Sequence, residues 1–304
     1  MARRRKGKHI HGWILLDKPS GLGSTPAVSR VKRIFDAQKA GHAGTLDPLA
    51  EGLLVIALGE ATKLIHRVMD GSKSYVFDVI FGVQTDTADR EGKAIKTSHL
   101  RPTSDQIVDA LPKFVGTFFQ QPPRYSAILQ DGRRAYDRAR AGEQFELPSR
   151  EVHVDSLELL HFDGVIARLK VTCAKGFYVR ALAEDLAATL GCVAHVGLLR
   201  RVYSSGFSEE LALGLEKLEE MRHREDALNS ILPLDTVLDD IPVRDLDGRR
   251  GWQVAHGQAI TTADLDLPDG EAWVRVDGNP LALGTVCEGR FQPKTKFNLD
   301  VGEK

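Results

Sequence analysis

The sequence predicts a mixed α+β fold followed by a small β-rich module, and three observations carry that prediction. Apolar segments of strand and helix periodicity interleave without the strict strand–helix–strand rhythm of a doubly wound sheet. The composition, 42% hydrophobic and 27% charged over 304 residues, is that of a soluble globular chain long enough for one large domain and a small one. From about residue 235 the apolar segments shorten and alternate with turn signals such as LPDG and DGNP.

Each element follows from its own pattern. Trp13 to Leu16 in GWILLDKPSG reads as a buried strand closed by Pro and Gly. A helix follows, with Ser24 or Thr25 as its cap, Pro26 in its first turn, and Val28, Val31, Ile34 and Phe35 at helical spacing. GHAGTLDPLAEG is a loop, LLVIALG a strand, and a helix starts near Glu60 with Leu64, Ile65 and Val68 on one face. KSYVFDVIFG returns to a strand with Tyr75, Phe77, Val79 and Phe81 on one side. Thr103 or Ser104 caps the next helix, which carries Ile107, Leu111 and Phe114.

Residues 116–151 read as a protruding strand and helix joined by loops. Arg124, Arg133, Arg134, Arg138, Arg140 and Arg150 decorate them, with Tyr125 and Tyr136 between. Strands at about 152–160 and 165–173 come next, then a helix in FYVRALAEDLAATLG ended by Gly191, then the strand AHVGLLRRVYSSGF. EKLEEMRHREDALNS holds one or two acidic helices, and ILPLDTVLDDIP is the joint to the final module.

Charge is unevenly spread. Residues 1–75 carry 13 Lys/Arg against 6 Asp/Glu, whereas residues 207–304 carry 11 against 20. The basic quarter suits a polyanion; the acidic third suits phosphate less well. The longest apolar run, Leu53 to Leu58, is too short to span a bilayer, and the basic MARRRKGKHIHG start has no apolar stretch of signal-peptide length behind it. Cys173, Cys192 and Cys287 lie far apart without CxxC spacing, which predicts a reducing cytoplasm and neither disulfides nor zinc.

Asp47 stands out for chemistry. Beside Pro48 it fits a turn-opening role, its oxygens accepting backbone N–H groups. The competing reading is a nucleophile or base fixed on a stiff turn, with Gly41 and Gly44 allowing close approach. A carboxylate near apolar strands needs a cation. Arg180, at a helix start beside Phe177 and Tyr178, is the leading candidate, although it is also spaced for a surface pair with Glu184. Lys18 and Lys63 compete. His42 reads as a loop histidine or a catalyst. SGLGSTP lacks both the P-loop ending and GxGxxG order, so no nucleotide fingerprint is present. No metal-ligand spacing occurs either.

The ordered blocks LLDKPSG (15–21), AGHAGTLDPLAEGLLVIALGEATK (40–63), KSYVFDVIFGVQTDTADREG (73–92), PPRYSAI (122–128), KGFYVRALAEDLA (175–187) and AHVGLLRR (194–201) closely resemble the TruB family of bacterial tRNA pseudouridine-55 synthases. The resemblance implies a largely antiparallel central sheet flanked by helices, forming a catalytic domain over residues 1–234. It also implies an RNA-gripping arm at about 123–151 and a PUA-like module over residues 235–304. It assigns Asp47 as nucleophile, Arg180 as its ion-pair partner, and Tyr75 as the residue that stacks on uracil and accepts the C5 proton. His42 occupies the stack vacated by the extruded base, while Leu199 and Tyr178 line the uracil pocket. Arg124, Arg138 and Arg140 of the arm fall to tRNA binding.

The implied reaction is redox-neutral, so no cofactor is expected. A monomer working on tRNA, with no membrane and no obligatory protein partner, is the expected state. Three other readings fit parts of the same pattern. A tRNA-folding chaperone would use the same binding surface with catalysis secondary. A guide-RNA-dependent relative would carry a larger, basic C-terminal module. A hydrolase built on Asp47 would want a second acid or base nearby.

Overall fold

The structure is a computed structural model and describes residues 7–299 except 127, 131, 223 and 224; the MARRRK start and the tail from Asp300 lie outside the described residues. The chain begins with β1 (Gly12–Lys18), α1 (Ser24–Ile34), β2 (Ala40–His42), β3 (Glu51–Leu58), α2 (Ile65–Asp70) and β4 (Lys73–Phe81). A side hairpin of β5 (Val83–Thr85) and β6 (Ala94–Thr97) precedes α3 (Ser104–Ala110) and β7 (Gly116–Gln120). The arm holds a short hairpin, β8 (Leu129–Gln130) with β9 (Arg133–Arg134), running into α4 (Ala135–Arg140). Then come β10 (Arg150–Phe162), β11 (Ile166–Cys173), α5 (Val179–Thr189), β12 (Ala194–Ser204), β13 (Phe207–Ser208), β14 (Leu213–Gly214) and α6 (Leu215–Met221).

The main sheet runs β14-β1-β3-β12-β4-β11-β10-β7, with β2 added beside β3 and β13 beside β12. Only β1–β14 and β3–β12 pair in parallel; the other neighbours are antiparallel. The expected mixed, largely antiparallel sheet is therefore present. Its order matters more than its size: β12 lies between β3 and β4, so three distant sequence blocks meet at one place.

Strand alternation sends side chains to two cores. On one face Ile14, Leu16, Leu54, Ile56, Phe77 and Val79 pack against Val31 of α1, Ile107 of α3 and Leu182 of α5. On the other, Trp13, Leu15, Leu53 and Val55 pack against Trp273, Leu283 and Phe297 of the C-terminal region. β3 is covered on both faces, which is why Leu53 to Leu58 reads as a continuous apolar run and not as an alternating one.

The C-terminal region adds β15 (Val243–Asp245), α7 (Gly248–Ala255), β16 (Ile260–Thr261), β17 (Gly270–Val276), β18 (Asn279–Cys287) and β19 (Arg290–Lys296), forming a sheet in the order β15-β17-β18-β19-β16. It has its own cluster, including Val254, Val274, Val286 and Phe291. Among the described residues no helix is long and apolar enough to cross a membrane.

Two helix starts differ in detail from the sequence reading. Neither Ser24 nor Thr25 caps α1: the N-cap is Gly23, and the Ser24 hydroxyl is used elsewhere. The helix expected near Glu60 begins as a 3-10 turn over Gly59–Leu64 before becoming α2. Thr103 does cap α3, in a reciprocal capping box with Gln106.

Candidate active site

The loop between β2 and β3 carries Asp47, and the segment from Lys18 to Ser24 pins it. The Ser24 hydroxyl donates to Leu46 O at 2.8 Å and accepts from Leu46 N at 2.8 Å. Ser20 Oγ donates to Leu49 O at 3.0 Å, and Gly21 N donates to Pro48 O at 2.8 Å. Lys18 Nζ donates to Pro19 O, Leu22 O and, at 3.3 Å, Pro48 O. Burial pushes the Lys18 ammonium down to about 8, and its bonds to carbonyls satisfy it in place of a carboxylate. The LLDKPSG block is thus a brace for the Asp47 loop. Lys63, the other competing cation, pairs with Glu60 at 2.5 Å.

Arg180 is the partner of Asp47. Its Nη2 donates to Asp47 Oδ2 at 2.6 Å and to Tyr125 O at 2.9 Å. Nη1 donates to Thr87 O at 3.1 Å and lies 3.5 Å from Asp89 Oδ2. The arginine side chain is 5% exposed, whereas Asp47 is 35% exposed. The guanidinium is thus the buried member of the pair, and the carboxylate keeps partial access to solvent. Gln120 fixes the start of α5 by donating to Tyr178 O and accepting from Tyr178 N, which aims Arg180 at the loop. Glu184, the alternative partner, is held instead by Gln84 at 2.9 Å.

Asp47 and Arg180 form a wall shared by two openings. The first, a cleft of about 370 Å³, is lined by Tyr75, Tyr178, Leu199 and Arg201 among others. Burial raises the Tyr75 phenol, while the Arg201 guanidinium, on the strand position opposite, pulls the other way. Arg150 stacks over the Tyr178 ring at 4.7 Å. The second opening, a groove of about 830 Å³, is lined by His42, Pro26, Tyr125, Arg134, Tyr136 and Arg140. Burial, with Arg201 second, lowers the His42 imidazole below its ordinary value, and its Nδ1 has no hydrogen-bond partner among the described residues. The site therefore has a smaller chamber, whose aromatic and aliphatic walls also carry Lys73, Arg150, Lys175 and Arg201, beside a larger groove in which Arg134, Arg140 and Arg180 face Asp47, Asp89 and Glu91.

The arm arginines divide. Arg140 stacks on Tyr136 at 4.5 Å and faces the groove with Arg134. Arg138 turns inward, donating to Glu143 Oε2 at 2.8 Å and Gln130 Oε1 at 2.7 Å, over the Phe145 ring. Arg124 also lies over Phe145 and donates to Glu143 O.

Three buried charges in the site were not singled out from the sequence: Asp89, Arg201 and Lys73, whose ammonium is held by carbonyls such as Val68 O at 3.0 Å. Asp89, 3% exposed, sits within the DTADREG stretch already quoted, but nothing local marks it as a second acid behind Arg180. Arg201, 1% exposed, is the second arginine of LLRR. Among the described residues no three His, Cys, Asp or Glu side chains converge to hold a metal ion.

Comparison with known proteins identifies a family for the chain. Residues 32–179 match the TruB family pseudouridylate synthase N-terminal domain, and residues 180–239 match the tRNA pseudouridylate synthase B C-terminal domain. A tRNA pseudouridine synthase B of Caulobacter vibrioides is 46% identical, covering 98% of this chain and 100% of the relative. One from Sinorhizobium medicae is 45% identical over 97% of this chain and 98% of the relative. The fold is also that of a Cbf5–Nop10–Gar1 complex structure (TM-score 0.70, 24% identity, 94% of this chain and 84% of that one). It matches an H/ACA RNP bound to a substrate RNA as well (TM-score 0.72, 22% identity, 98% and 91%). Family matches over most of the chain, near-complete coverage of the bacterial relatives, and a carboxylate–guanidinium pair at the mouth of an aromatic chamber lead to one conclusion: this chain belongs to the TruB family of pseudouridylate synthases.

Proposed function

We propose that the chain converts uridine 55 in the T-loop of tRNA to pseudouridine, with Asp47 as the nucleophile and without a cofactor. The observation that carries this reading is the 2.6 Å bond from Arg180 Nη2 to Asp47 Oδ2, on the wall common to chamber and groove. In the reaction the N1–C1′ bond breaks, the uracil turns, and a C5–C1′ bond forms. N1 gains a proton and C5 loses one, so the reaction balances internally.

An ionised carboxylate can start it by adding to C6 of the base or by attacking C1′ of the ribose. Both routes begin from the same paired Asp47. Being 35% exposed, Asp47 can face an incoming nucleotide while the buried Arg180 holds its charge in place.

A T-loop base must leave its stack to reach the chamber, at a cost of a few kcal/mol. Stacking on Tyr75 offsets roughly 1–3 kcal/mol of that. His42, on the groove side, fills the space the base leaves, and neutrality suits it to insertion between bases. Leu199 and Tyr178 close the chamber around the uracil. Arg140 on the groove rim meets phosphate, while Arg124 and Arg138 serve tRNA binding by holding the arm in shape. In this reading one chain suffices as a monomer, with residues 1–234 catalytic and residues 235–304 a PUA-like module covering the back of the sheet.

The test is incubation with an unmodified tRNA transcript followed by chemical mapping of pseudouridine. Wild type should modify the T-loop uridine; Asp47→Asn should bind tRNA with near wild-type affinity and give no product. Modification by Asp47→Asn at the wild-type rate would refute the assignment.

A further inference from the structure

We propose that Arg201 is a positioning residue for the reaction, one buried guanidinium tying the Asp47 loop, at Gly44, and the following strand β3, at Leu53, to the Tyr75 hydroxyl. The inference rests on the reading of Tyr75 as the C5 proton acceptor.

The sheet puts Arg201 where it can do this. On β12 it lies opposite Gly52 of β3 and opposite Tyr75 of β4. Gly52 adopts φ +92°, and a Cβ there would press into the Arg201 carbonyl, so the glycine is what lets the two strands meet at this register. The side chain then runs under the Asp47 loop. Nε donates to Leu53 O of β3 at 2.7 Å and Nη2 donates to Gly44 O of the loop at 3.2 Å, holding the chain before and after the nucleophile. Arg201, Tyr75 and Asp47 all line the same chamber.

The energetics argue against a purely architectural role. Arg168 and Arg200 meet carboxylates at 2.7 Å and 2.6 Å, and Arg180 meets Asp47 at 2.6 Å. Arg201 is more deeply buried than these and, among the described residues, bonds carbonyls and no carboxylate. Lys18 and Lys73 are also buried among carbonyls, but burial brings both down to about 8, so they can shed the charge that a guanidinium must keep. A buried cation without a counter-charge is costly, and an apolar side chain would fill the same space at less cost. The charge is explained if it faces negative charge that develops only during turnover, as the Tyr75 phenol gives its own proton up toward N1 and its oxygen takes the one leaving C5. Consistently, Arg201 favours the ionised phenol against the effect of burial.

The test is a double-mutant cycle of Arg201→Lys and Tyr75→Phe on an unmodified tRNA transcript. Lysine keeps a charge but cannot span both carbonyls and the hydroxyl. Arg201→Lys should lower kcat about 10²-fold, the scale of a small misplacement, with KM within about threefold. In the Tyr75→Phe background the same change should cost less than about tenfold. A kcat within about threefold of wild type, or full additivity in the cycle, overturns the inference. If Tyr75→Phe alone turns over normally, the reading of Tyr75 fails and this inference falls with it. A slow Tyr75→Phe beside a normal Arg201→Lys removes only the inference.

Should Arg201→Lys not fold, arginine-labelled ¹⁵N spectra of the full chain decide the matter. The Arg201 guanidinium resonances should shift in Tyr75→Phe, and unchanged resonances break the proposed link.

Discussion

Replacing Arg180 by methionine keeps most of the side-chain volume and removes the charge, and the structure says where the loss falls. Arg180 faces two carboxylates of different exposure: Asp47 is 35% exposed and Asp89 only 5%. Water can replace the guanidinium at Asp47. It cannot readily reach Asp89, whose Oδ1 keeps bonds from Thr87 Oγ1 at 2.6 Å and Glu91 N at 3.0 Å while Oδ2 loses its cation. Removing one partner of a buried pair costs about 3–5 kcal/mol, and Arg180→Met should fall in that range. Within a typical stability of about 5–15 kcal/mol, the variant stays folded enough to titrate.

The source of the loss is separable. Adding Asp89→Asn to Arg180→Met should return about 1–2 kcal/mol, because the stranded charge is gone. Adding Asp47→Asn should return less than about 0.5 kcal/mol, because that carboxylate is already solvated. Urea unfolding of the four proteins, with midpoints and slopes compared, measures both numbers. A larger recovery from Asp47→Asn than from Asp89→Asn, or an Arg180→Met loss below about 1 kcal/mol, would refute the reasoning.

Other expectations follow from the same contacts. Ser24→Ala removes both bonds to Leu46 and should lower stability by about 1–3 kcal/mol together with kcat, read by urea midpoint and turnover; loss of neither would remove the brace. His42 has a depressed folded-state value, so its contribution is complete above the ordinary value of about 6.5 and is lost as pH falls through the lower folded one. His42→Asn should flatten the acid limb of stability below pH about 6.5, and an unchanged limb would assign it to other groups. Arg140→Ala should weaken tRNA binding and reduce its salt slope by about 0.7–0.9. Arg138→Ala, which loses Glu143 and Gln130, should instead make the arm easier to nick with protease; the reverse pattern would mean the two roles are exchanged.

Much of the fold was legible because it rests on neighbouring residues. The alternation along β4, the capping box at Thr103 and the helix stop at Gly191 are local events, each decided within a few positions. The site was legible only in part. Asp47 and Arg180 lie 133 residues apart, and their spacing says nothing about contact; the family resemblance, not periodicity, joined them. Arg124 and Arg138 look like phosphate ligands in sequence, yet Glu143 and Phe145 draw both inward.

The pair Arg200–Arg201 shows the division most plainly. Strand geometry alone determines that two adjacent arginines point to opposite faces of β12. Which face meets solvent and which lies under a catalytic loop depends on the neighbours of β12, and those come from residues more than a hundred positions away. With β3 on one side and β4 on the other, Arg200 reaches Asp17 and Glu209, and Arg201 is sealed between Gly44, Leu53 and Tyr75. The sequence by itself thus determined the elements and their apolar faces, because side-chain period is a short-range property. Only the tertiary structure decided which charges are buried and what they meet, because burial and partnership are set by sheet order.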